Sequence, residues 1–425
     1  MSGLEDRLIP SDTPVHANVT RMLYFSAAFG VASAITSMGV FDAYLFHLTS
    51  SNSAVGLAES ISGISQVLVA VPAGYLVDRC SRSCILRWCA LLGLLSASLS
   101  ILAVITDSII LIVLSLFVSG IFYSSQNTAT YSLYADSVPQ GARVKAMTNV
   151  AVVTQSSMAL GPLISAILFW YFGDYWTLGM MHGVLLFGFG LLFPASCLLT
   201  GWVDCSGAEK VVADARVDST SSIASQIPYL VCLNDLITCV GAGMTVKFFP
   251  LFFKNEYDFS PVQLQLLFTV YLLSFGVCTL ACERVSHRIG RIPASLLFSG
   301  VGVACLFLLA KLNNLIQVVL IFIVRGACQN SIYPIDRSLI MDYVPSNQRG
   351  RWNAFESVSS LTWSGSAALG GYLMDLYDYR FTFQITAMIY AVAFLLRLPL
   401  LFMVPRGEKF DEDKKGAPDE KKVRG

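Results

Sequence analysis

Ionisable residues inside long apolar stretches are the first candidates for chemistry, because a charge within a membrane is costly and usually serves a purpose. Arg325 lies about ten residues into such a stretch, at roughly 15 Å depth by helix rise. Its planar guanidinium could bind a carboxylate or phosphate of a substrate through two hydrogen bonds. The alternative is a structural ion pair with an acid from another helix.

Polar side chains follow Arg325 at helical spacing. Gln329, Tyr333 and Asp336 come four, eight and eleven residues later, roughly along one face of a helix. Pro334 lacks a backbone donor and is expected to bend that helix. We predict that Arg325, Gln329 and Tyr333 contact a substrate.

A second polar stripe lies in another apolar stretch, where Tyr123, Asn127 and Tyr131 recur every four residues. We predict that its side chains also contact the substrate. Hydroxyl and amide side chains also join membrane helices by hydrogen bonds, and this is the alternative for each of them.

Asp42 and Lys247 occupy almost the same place in two similar halves of the chain, toward the outer side of a membrane. We predict that they pair across the halves as an outer gate. Two other interpretations stand beside this one: Asp42 takes up a coupling proton, or each side chain lies at the level of the lipid headgroups. Asp235 is a second candidate for the proton site.

Two short charged turns separate apolar stretches, one in each half. The first contains, in order, Gly74, Asp78, Arg79 and Arg82. The second contains Glu283 and Arg284 and lacks the opening glycine. Further along each half an acid ends an apolar stretch, Asp136 in the first half and Asp342 in the second, 206 residues later.

The elements that hold these residues must be membrane helices. The chain has 425 residues, of which 55% are hydrophobic and 13% charged, with a mean hydropathy of +0.64. Soluble domains carry about 25% charged residues, so the composition is typical of a polytopic protein of the lipid bilayer. The net charge of zero argues against a nucleic-acid partner. The eleven cysteines are interpreted as small apolar helix residues rather than as metal ligands or redox sensors, and neither a metal nor a cofactor is predicted.

Twelve segments are long and apolar enough to span a membrane. They lie near 21–48, 54–77, 84–105, 108–136, 144–172, 178–202, 228–253, 262–283, 292–311, 315–343, 352–374 and 380–404. Lys and Arg concentrate in alternate turns and in the C-terminal tail, which by the positive-inside rule places both termini in the cytoplasm.

The domain organisation follows from these spans. We predict a cytoplasmic N-terminal tail at 1–20, a six-helix bundle at 21–202, a polar linker at 203–227, a second six-helix bundle at 228–404 and a charged tail at 405–425. The linker is rich in serine and reads as a flexible cytoplasmic connection. Parallel repeats of six spans are typical of two-bundle transporters.

With these features the chain resembles the major facilitator superfamily. Its first charged turn follows that family's pattern of Gly, three residues, Asp, Arg and a later Arg, except that Ser81 stands where the family usually has a second Gly. The resemblance implies two six-helix bundles related by a pseudo-two-fold axis, with the first, fourth, seventh and tenth spans lining a cavity.

The resemblance also implies a gate on the cytoplasmic side. Asp78, Arg82 and Asp136 would form a charge cluster, and Asp78 would face the start of the eleventh span when the cavity opens outward. Glu283, Arg284 and Asp342 would be a weaker set in the second half. The alternative is topological: the arginines simply keep these turns inside.

We therefore expect a secondary transporter of a small solute that works by alternating access as a monomer, with protons as the candidate coupling ion. An organic anion or a drug-like compound is the candidate solute. No Gly-rich phosphate loop suggests an ATP-driven pump. The other classes considered are a transporter-like sensor or scaffold and a membrane-embedded enzyme, which four scattered histidines support poorly.

Overall fold

The computed structural model describes residues 17–138, 143–204, 226–343 and 349–404. Within these ranges the chain is helical and contains no strand. The predicted fold class, an all-α membrane protein with two bundles of six helices, is confirmed. The predicted linker at 203–227 and both tails lie largely outside the described residues, so the domain boundaries there stay predictions.

Each half of the chain contributes six spans, and three of the twelve, the first, the seventh and the tenth, are interrupted along their length. The N-terminal six are Ala17–Ser37 with Val40–Thr49, then Asn52–Arg79, Arg82–Thr106, Ile109–Asp136, Arg143–Phe172 and Leu178–Cys197. The C-terminal six are Ile227–Thr245 with Phe249–Tyr257, then Pro261–Ile289, Arg291–Leu309, Leu315–Ser331 with Tyr333–Tyr343, Arg349–Leu376 and Tyr379–Arg397. Short helical turns follow at Leu198–Gly201 and Leu400–Met403, and Val246–Phe248 joins the two parts of the seventh span.

Eleven of these helices have both the length and the apolar composition of a membrane span. The eleventh span, Arg349–Leu376, has 28 residues but is markedly less apolar. It packs along the second span of the other half. Its polar composition is therefore consistent with a helix whose neighbours are protein and a cavity rather than lipid on all sides.

The two ends of the spans differ in charge, and we name the faces accordingly. The basic face carries the turns that contain Arg79, Arg82, Arg288 and Arg291, and the opposite face carries the turns at 49–52, 106–109 and 376–379. Contacts between the two halves run mainly through two pairs of helices: the second span with the eleventh, and the fifth with the eighth.

Helix breaks near the opposite face occur in the first span and in the seventh. In the first span the break is at Gly39, whose φ of +90° is a conformation that glycine adopts without strain. A Cβ at Gly39 would lie 2.7 Å from Cβ of Pro250 in the other half, so the absence of a side chain also allows the halves to approach. The break frees the carbonyl of Met38, which accepts a hydrogen bond from Gln265 Nε2 of the eighth span at 3.0 Å.

Candidate functional site

The polar side chains of the fourth-span stripe are exposed and not buried between helices. Tyr123, Asn127 and Tyr131 are exposed on Ile109–Asp136, a helix that is otherwise strongly apolar. Polar groups facing lipid tails are rare in membrane proteins, whereas polar groups lining a water-filled cavity are common. The ring of Tyr123 lies 6.1 Å from that of Phe29 in the first span, which places the stripe beside that span.

The tenth span presents polar groups at corresponding positions. Tyr333, 206 residues after Asn127, is exposed, and its hydroxyl accepts a hydrogen bond of 2.9 Å from Arg337 Nε. Asn330 is exposed as well and donates to the hydroxyl of Tyr271 at 3.2 Å. Sequence reasoning missed Asn330 and Tyr271, although Asn330 lies only three residues before Tyr333.

Arg325 is buried inside the C-terminal half, with 2% of its surface exposed. Its guanidinium carbon lies 5.0 Å from the ring centre of Phe249 and 5.7 Å from that of Tyr390. Nη2 donates to the Tyr390 hydroxyl at 3.3 Å, while Nε has no hydrogen-bond partner. No carboxylate in the described part of the chain forms an ion pair with Arg325. A buried cation held only by aromatic rings and one hydroxyl retains the capacity to bind an anion.

Gln329 turns toward the ninth span instead of the other half. A Cβ at Gly302 of that span would lie 2.6 Å from Gln329 Oε1, and this oxygen is buried without a hydrogen-bond partner. Gln329 therefore lies between the ninth and tenth spans and is not part of the exposed stripe.

The basic-face half of the tenth span belongs to an ionic network with the seventh and twelfth spans. Arg397 Nη2 donates to Asp336 Oδ2 at 2.6 Å and to Asn234 Oδ1 at 2.7 Å. Asp235, the predicted second proton site, is half-buried next to Asn234 and interacts electrostatically with Asp336. The network fixes the helix segment that follows Pro334.

Lys247 connects the two halves, and its direct partner is Glu59 rather than Asp42. Lys247 Nζ lies 3.0 Å from Glu59 Oε2, with 16% and 19% of the two side chains exposed. Asp42 is buried beside this pair and interacts electrostatically with both members. Glu59 is closer because it projects from the second span, which lies against the C-terminal half. The sequence feature that could have identified Glu59 is a carboxylate within a membrane span.

Tight packing between the second and eleventh spans continues around this ion pair. A Cβ at Gly56 would lie 2.2 Å from the carbonyl oxygen of Ala367, and one at Gly63 would lie 2.0 Å from Cβ of Ser364. Ser60 Oγ donates to the Ser364 carbonyl at 2.8 Å. Gly74, nearer the basic face, has no atom of another described segment within 4 Å of such a Cβ. Within the described residues, the contact between these two helices is therefore closest toward the opposite face.

The predicted gate at the basic face is described only in part. Arg82 Nη1 donates to the carbonyl of Ser132 in the fourth span at 3.4 Å, and Arg79 lies 4.5 Å from the ring centre of Tyr75. Glu283 and Arg284 are exposed near the end of the eighth span. The side chains of Asp78, Asp136 and Asp342 lie outside the described part of the structure.

The second half repeats the contact made by Arg82. Arg291 Nη1 donates to Ser338 Oγ at 3.2 Å, and Ser338 follows Ser132 by 206 residues. Arg291 is thus the structural counterpart of Arg82. The sequence comparison aligned Arg284 with Arg79 and placed Arg284, not Arg291, in the charge set of the second half.

Ser81, which departs from the family pattern, begins the third span. Its hydroxyl accepts a hydrogen bond from the Cys84 backbone N–H at 3.4 Å and donates one to the Asp204 carboxylate, which lies shortly after the sixth span and its terminal turn. Asp204 also accepts hydrogen bonds from Ser83 N at 2.9 Å and Ser83 Oγ at 2.7 Å. Burial acts to raise the pKa of Asp204, but the hydrogen bonds from Ser81 and Ser83 outweigh it and lower this pKa below its usual range. Ser81 therefore ties the charged turn to the end of the bundle.

Comparison with known families gives one match over both halves. A family model described as Major Facilitator Superfamily matches residues 22–204 and 231–424. A comparison with curated protein sequences gives no match.

Solved structures with the same architecture are numerous. The nucleoside transporter NupG has a TM-score of 0.67 at 16% identity, covering 91% of this chain and 99% of NupG. A bacterial homologue of the human lysosomal transporter Spinster has a TM-score of 0.67 at 11% identity, covering 91% and 97%. The human organic anion transporter TETRAN has a TM-score of 0.60 at 16% identity, covering 91% and 100%. At these identities the likeness shows the fold.

Proposed function

The chain belongs to the major facilitator superfamily, a family of integral membrane transporters rather than enzymes, and from this membership we propose that it carries a small solute across the membrane by alternating access. In that mechanism the two bundles rock about a site between them, so that the site opens to one side of the membrane at a time.

The observation that carries the proposal is the pair of exposed polar stripes. Asn127 in the fourth span and Tyr333 in the tenth hold equivalent places in the two halves, and both are exposed within apolar helices. A cavity between the bundles, lined by Tyr123, Asn127 and Tyr131 on one side and Tyr333 on the other, would keep these groups in water until a solute replaces it. Such a site offers hydroxyl and amide groups for hydrogen bonds and aromatic rings for apolar contact.

For the solute we propose an organic anion. Arg325 supports this class because its Nε is buried without a partner, and the described residues supply no carboxylate to neutralise it. Phe249 and Tyr390 beside the guanidinium suit a ligand with an apolar or aromatic body. Among proteins of the same fold, TETRAN is described as an organic anion transporter.

Asp42 is the proposed proton site. It lies beside the Lys247–Glu59 ion pair at the junction of the bundles, so a change in its charge would alter the energy of that junction. Protonation of Asp42 and the opening of the opposite face would then be linked. Asp235, next to the Arg397 network, is the alternative. We further propose that the basic face is cytoplasmic, in accord with the positive-inside rule, and that the monomer is the working unit.

The direct test is uptake of labelled organic anions and matched neutral analogues into proteoliposomes, with and without an imposed pH gradient. We expect selective uptake of anions that a pH gradient accelerates, and we expect Asn127→Ala to lower it at least tenfold. Thr128→Ala is the matched control, since within the described part of the chain the Thr128 hydroxyl donates only to Ser124 O of its own helix. Equal uptake by both variants would contradict the proposed cavity.

Thermal-shift binding tests the anion site separately from transport. A transported anion should raise the melting temperature of the native protein but not that of Arg325→Ala. Preserved stabilisation in the variant would remove Arg325 from the site. Ligand binding with no uptake of any solute would favour the sensor or scaffold.

A further inference from the structure

Two carboxylates at the opposite face reach across the junction of the bundles, and each meets the beginning of a long helix in the other half. We propose that Asp375 and Asp174 form a symmetric pair of latches that hold the opposite face closed. The inference rests on the proposed alternating access, because it assigns these contacts to one of the two states that such a mechanism requires.

The Asp375 latch consists of Asp375, near the end of the eleventh span, and the three residues that begin the second span. Asp375 Oδ1 accepts from Asn52 N at 2.8 Å and from Asn52 Nδ2 at 2.9 Å. Asp375 Oδ2 accepts from Ser53 N at 2.8 Å, from Ser53 Oγ at 2.6 Å and from Ser51 Oγ at 2.8 Å. All five donors belong to the N-terminal half, so the carboxylate binds the other bundle and not its own.

In the Asp174 latch the acid belongs to the N-terminal half and the helix beginning to the C-terminal half. Asp174, which follows the fifth span, accepts a hydrogen bond of 2.9 Å from the backbone of Val262 in the first turn of the eighth span. Trp176, two residues later, donates from Nε1 to the Phe259 carbonyl at 2.7 Å. The Lys254 ammonium lies 5.1 Å from the ring centre of Trp176 and adds a third contact between the halves.

The two latches correspond under the internal repeat. Asp174 and Asp375 are 201 residues apart, and their backbone donors Ser53 and Val262 are 209 apart, both close to the offset of 206 between Asp136 and Asp342. The fifth and eleventh spans are equivalent, as are the eighth and second. Each half therefore offers one acid and one helix beginning.

The physical basis is the same at both sites. The first turn of a helix has backbone N–H groups without partners and a partial positive charge, so it favours an anion. Charged hydrogen bonds of this kind are stronger than neutral ones. Both contacts join separate bundles, so both must break when the bundles separate at the opposite face.

Asp375 and Asp174 lie at the opposite-face ends of the eleventh and fifth spans, and the latches give both acids a role. Asp78, at the basic-face end of the second span, was expected to face the start of the eleventh span in the other state. Asp375 makes the corresponding contact at the far end of the same two helices. The second and eleventh spans would then exchange latches as the transporter alternates.

The experiment measures conformation directly, so its outcome does not depend on knowing the solute. Nitroxide labels at His47→Cys and Asn313→Cys, in a background in which Cys80, Cys84, Cys197 and Cys205 are serine, report the distance across the opposite face in detergent and in nanodiscs. Both label positions are exposed, one in each half. Double electron–electron resonance gives the ratio of separated to closed populations.

We expect Asp375→Asn to raise that ratio about tenfold and Asp174→Asn about threefold, because the first latch has more hydrogen bonds. The double variant should raise the ratio further than either single variant, because both contacts must break for the opposite face to open. Asp378→Asn is the matched control: it removes the same charge three residues from Asp375, but among the described residues its carboxylate accepts a side-chain hydrogen bond only from Phe381 N of its own half.

Asp375→Glu should restore the closed population in part, which a general loss of stability would not do. An unchanged ratio in both single variants, or an equal shift with Asp378→Asn, would overturn the proposal. If the labels instead show a single distance under every condition, including added solutes, then the proposed alternating access itself fails. That result is distinguishable from a failure of the latches alone, in which both populations are seen but the variants do not shift them.

Discussion

Single residues at the junction of the bundles carry charge where water is scarce. Lys247 and Glu59 compensate each other from opposite halves, and both are largely shielded from solvent. In such surroundings the loss of one partner leaves the other charge unpaired, which costs about 3–5 kcal/mol. The ion pair is therefore stable while the opposite face is closed. When that face opens, water must enter to solvate the two separated charges.

We predict that Lys247→Met and Glu59→Gln each slow transport at least tenfold and raise the separated population at the opposite face, because the remaining charge must reach water. The combined Lys247→Met/Glu59→Gln variant should recover a closed population, since it removes both charges of the pair and leaves only Asp42, the proposed proton site, which protonation can neutralise. Distance measurements with the same labels check this, alongside uptake. A double variant that behaves as the sum of the single ones would show that the two residues do not act as a pair.

The sequence predicts how far along a membrane helix a residue lies more readily than it predicts which way the side chain points around the helix axis. It placed Lys247 at the junction and Arg325 within the bilayer, because hydropathy and helix rise determine how far a residue lies from a span's end. It could not select Glu59 over Asp42 as the partner of Lys247, since that choice depends on how the second span is rotated against the seventh. The same limit applies to Gln329, which faces Gly302 within its own half.

At the scale of helices, glycine sets how closely the second and eleventh spans approach. Gly56 and Gly63 leave no room for a methyl group, whereas Gly74 on the same helix does, so the two helices are in closest contact toward one end. Small residues allow membrane helices to pack backbone against backbone, where dispersion and weak hydrogen bonds replace the hydrophobic effect.

We predict that Gly56→Ala shifts the equilibrium toward separation at the opposite face by about tenfold, because its Cβ would overlap the Ala367 carbonyl. Gly190→Ala in the sixth span should be silent, since no atom lies within 4 Å of the added methyl group. Distance measurements check the shift, and the melting temperature shows whether the fold is retained. Equal effects of the two substitutions would argue against a role for close packing.

The number and order of the helices could be predicted, since twenty apolar residues are a strong signal for a span. The breaks were harder to predict. Gly39 and the turn at Val246–Phe248 interrupt stretches whose hydropathy is continuous. Both breaks lie near the junction of the halves, where Gly39 approaches Pro250, and hydropathy alone does not reveal that contact.

For the whole molecule, the distribution of charge between the two faces predicts how the protein lies in its membrane. Cys80 and Cys84 are exposed at the basic face, beside Arg79 and Arg82. In cells with the basic face inward, a membrane-impermeant maleimide should label neither cysteine unless the membrane is opened. Asn313→Cys, at the opposite face, should be labelled from outside. Labelling of Cys80 in intact cells would reverse the proposed orientation.

The matching contacts of Arg82 with Ser132 and Arg291 with Ser338 also bear on the history of the chain. Both join the start of a third helix to the fourth helix of its own half, at positions separated by almost the same number of residues. The acceptors differ, a backbone carbonyl in the first half and a hydroxyl in the second, so the halves share the position of the contact and not its chemistry. A shared position of this kind is what the duplication of a six-helix unit would leave, with the contacts of the two copies free to diverge afterwards.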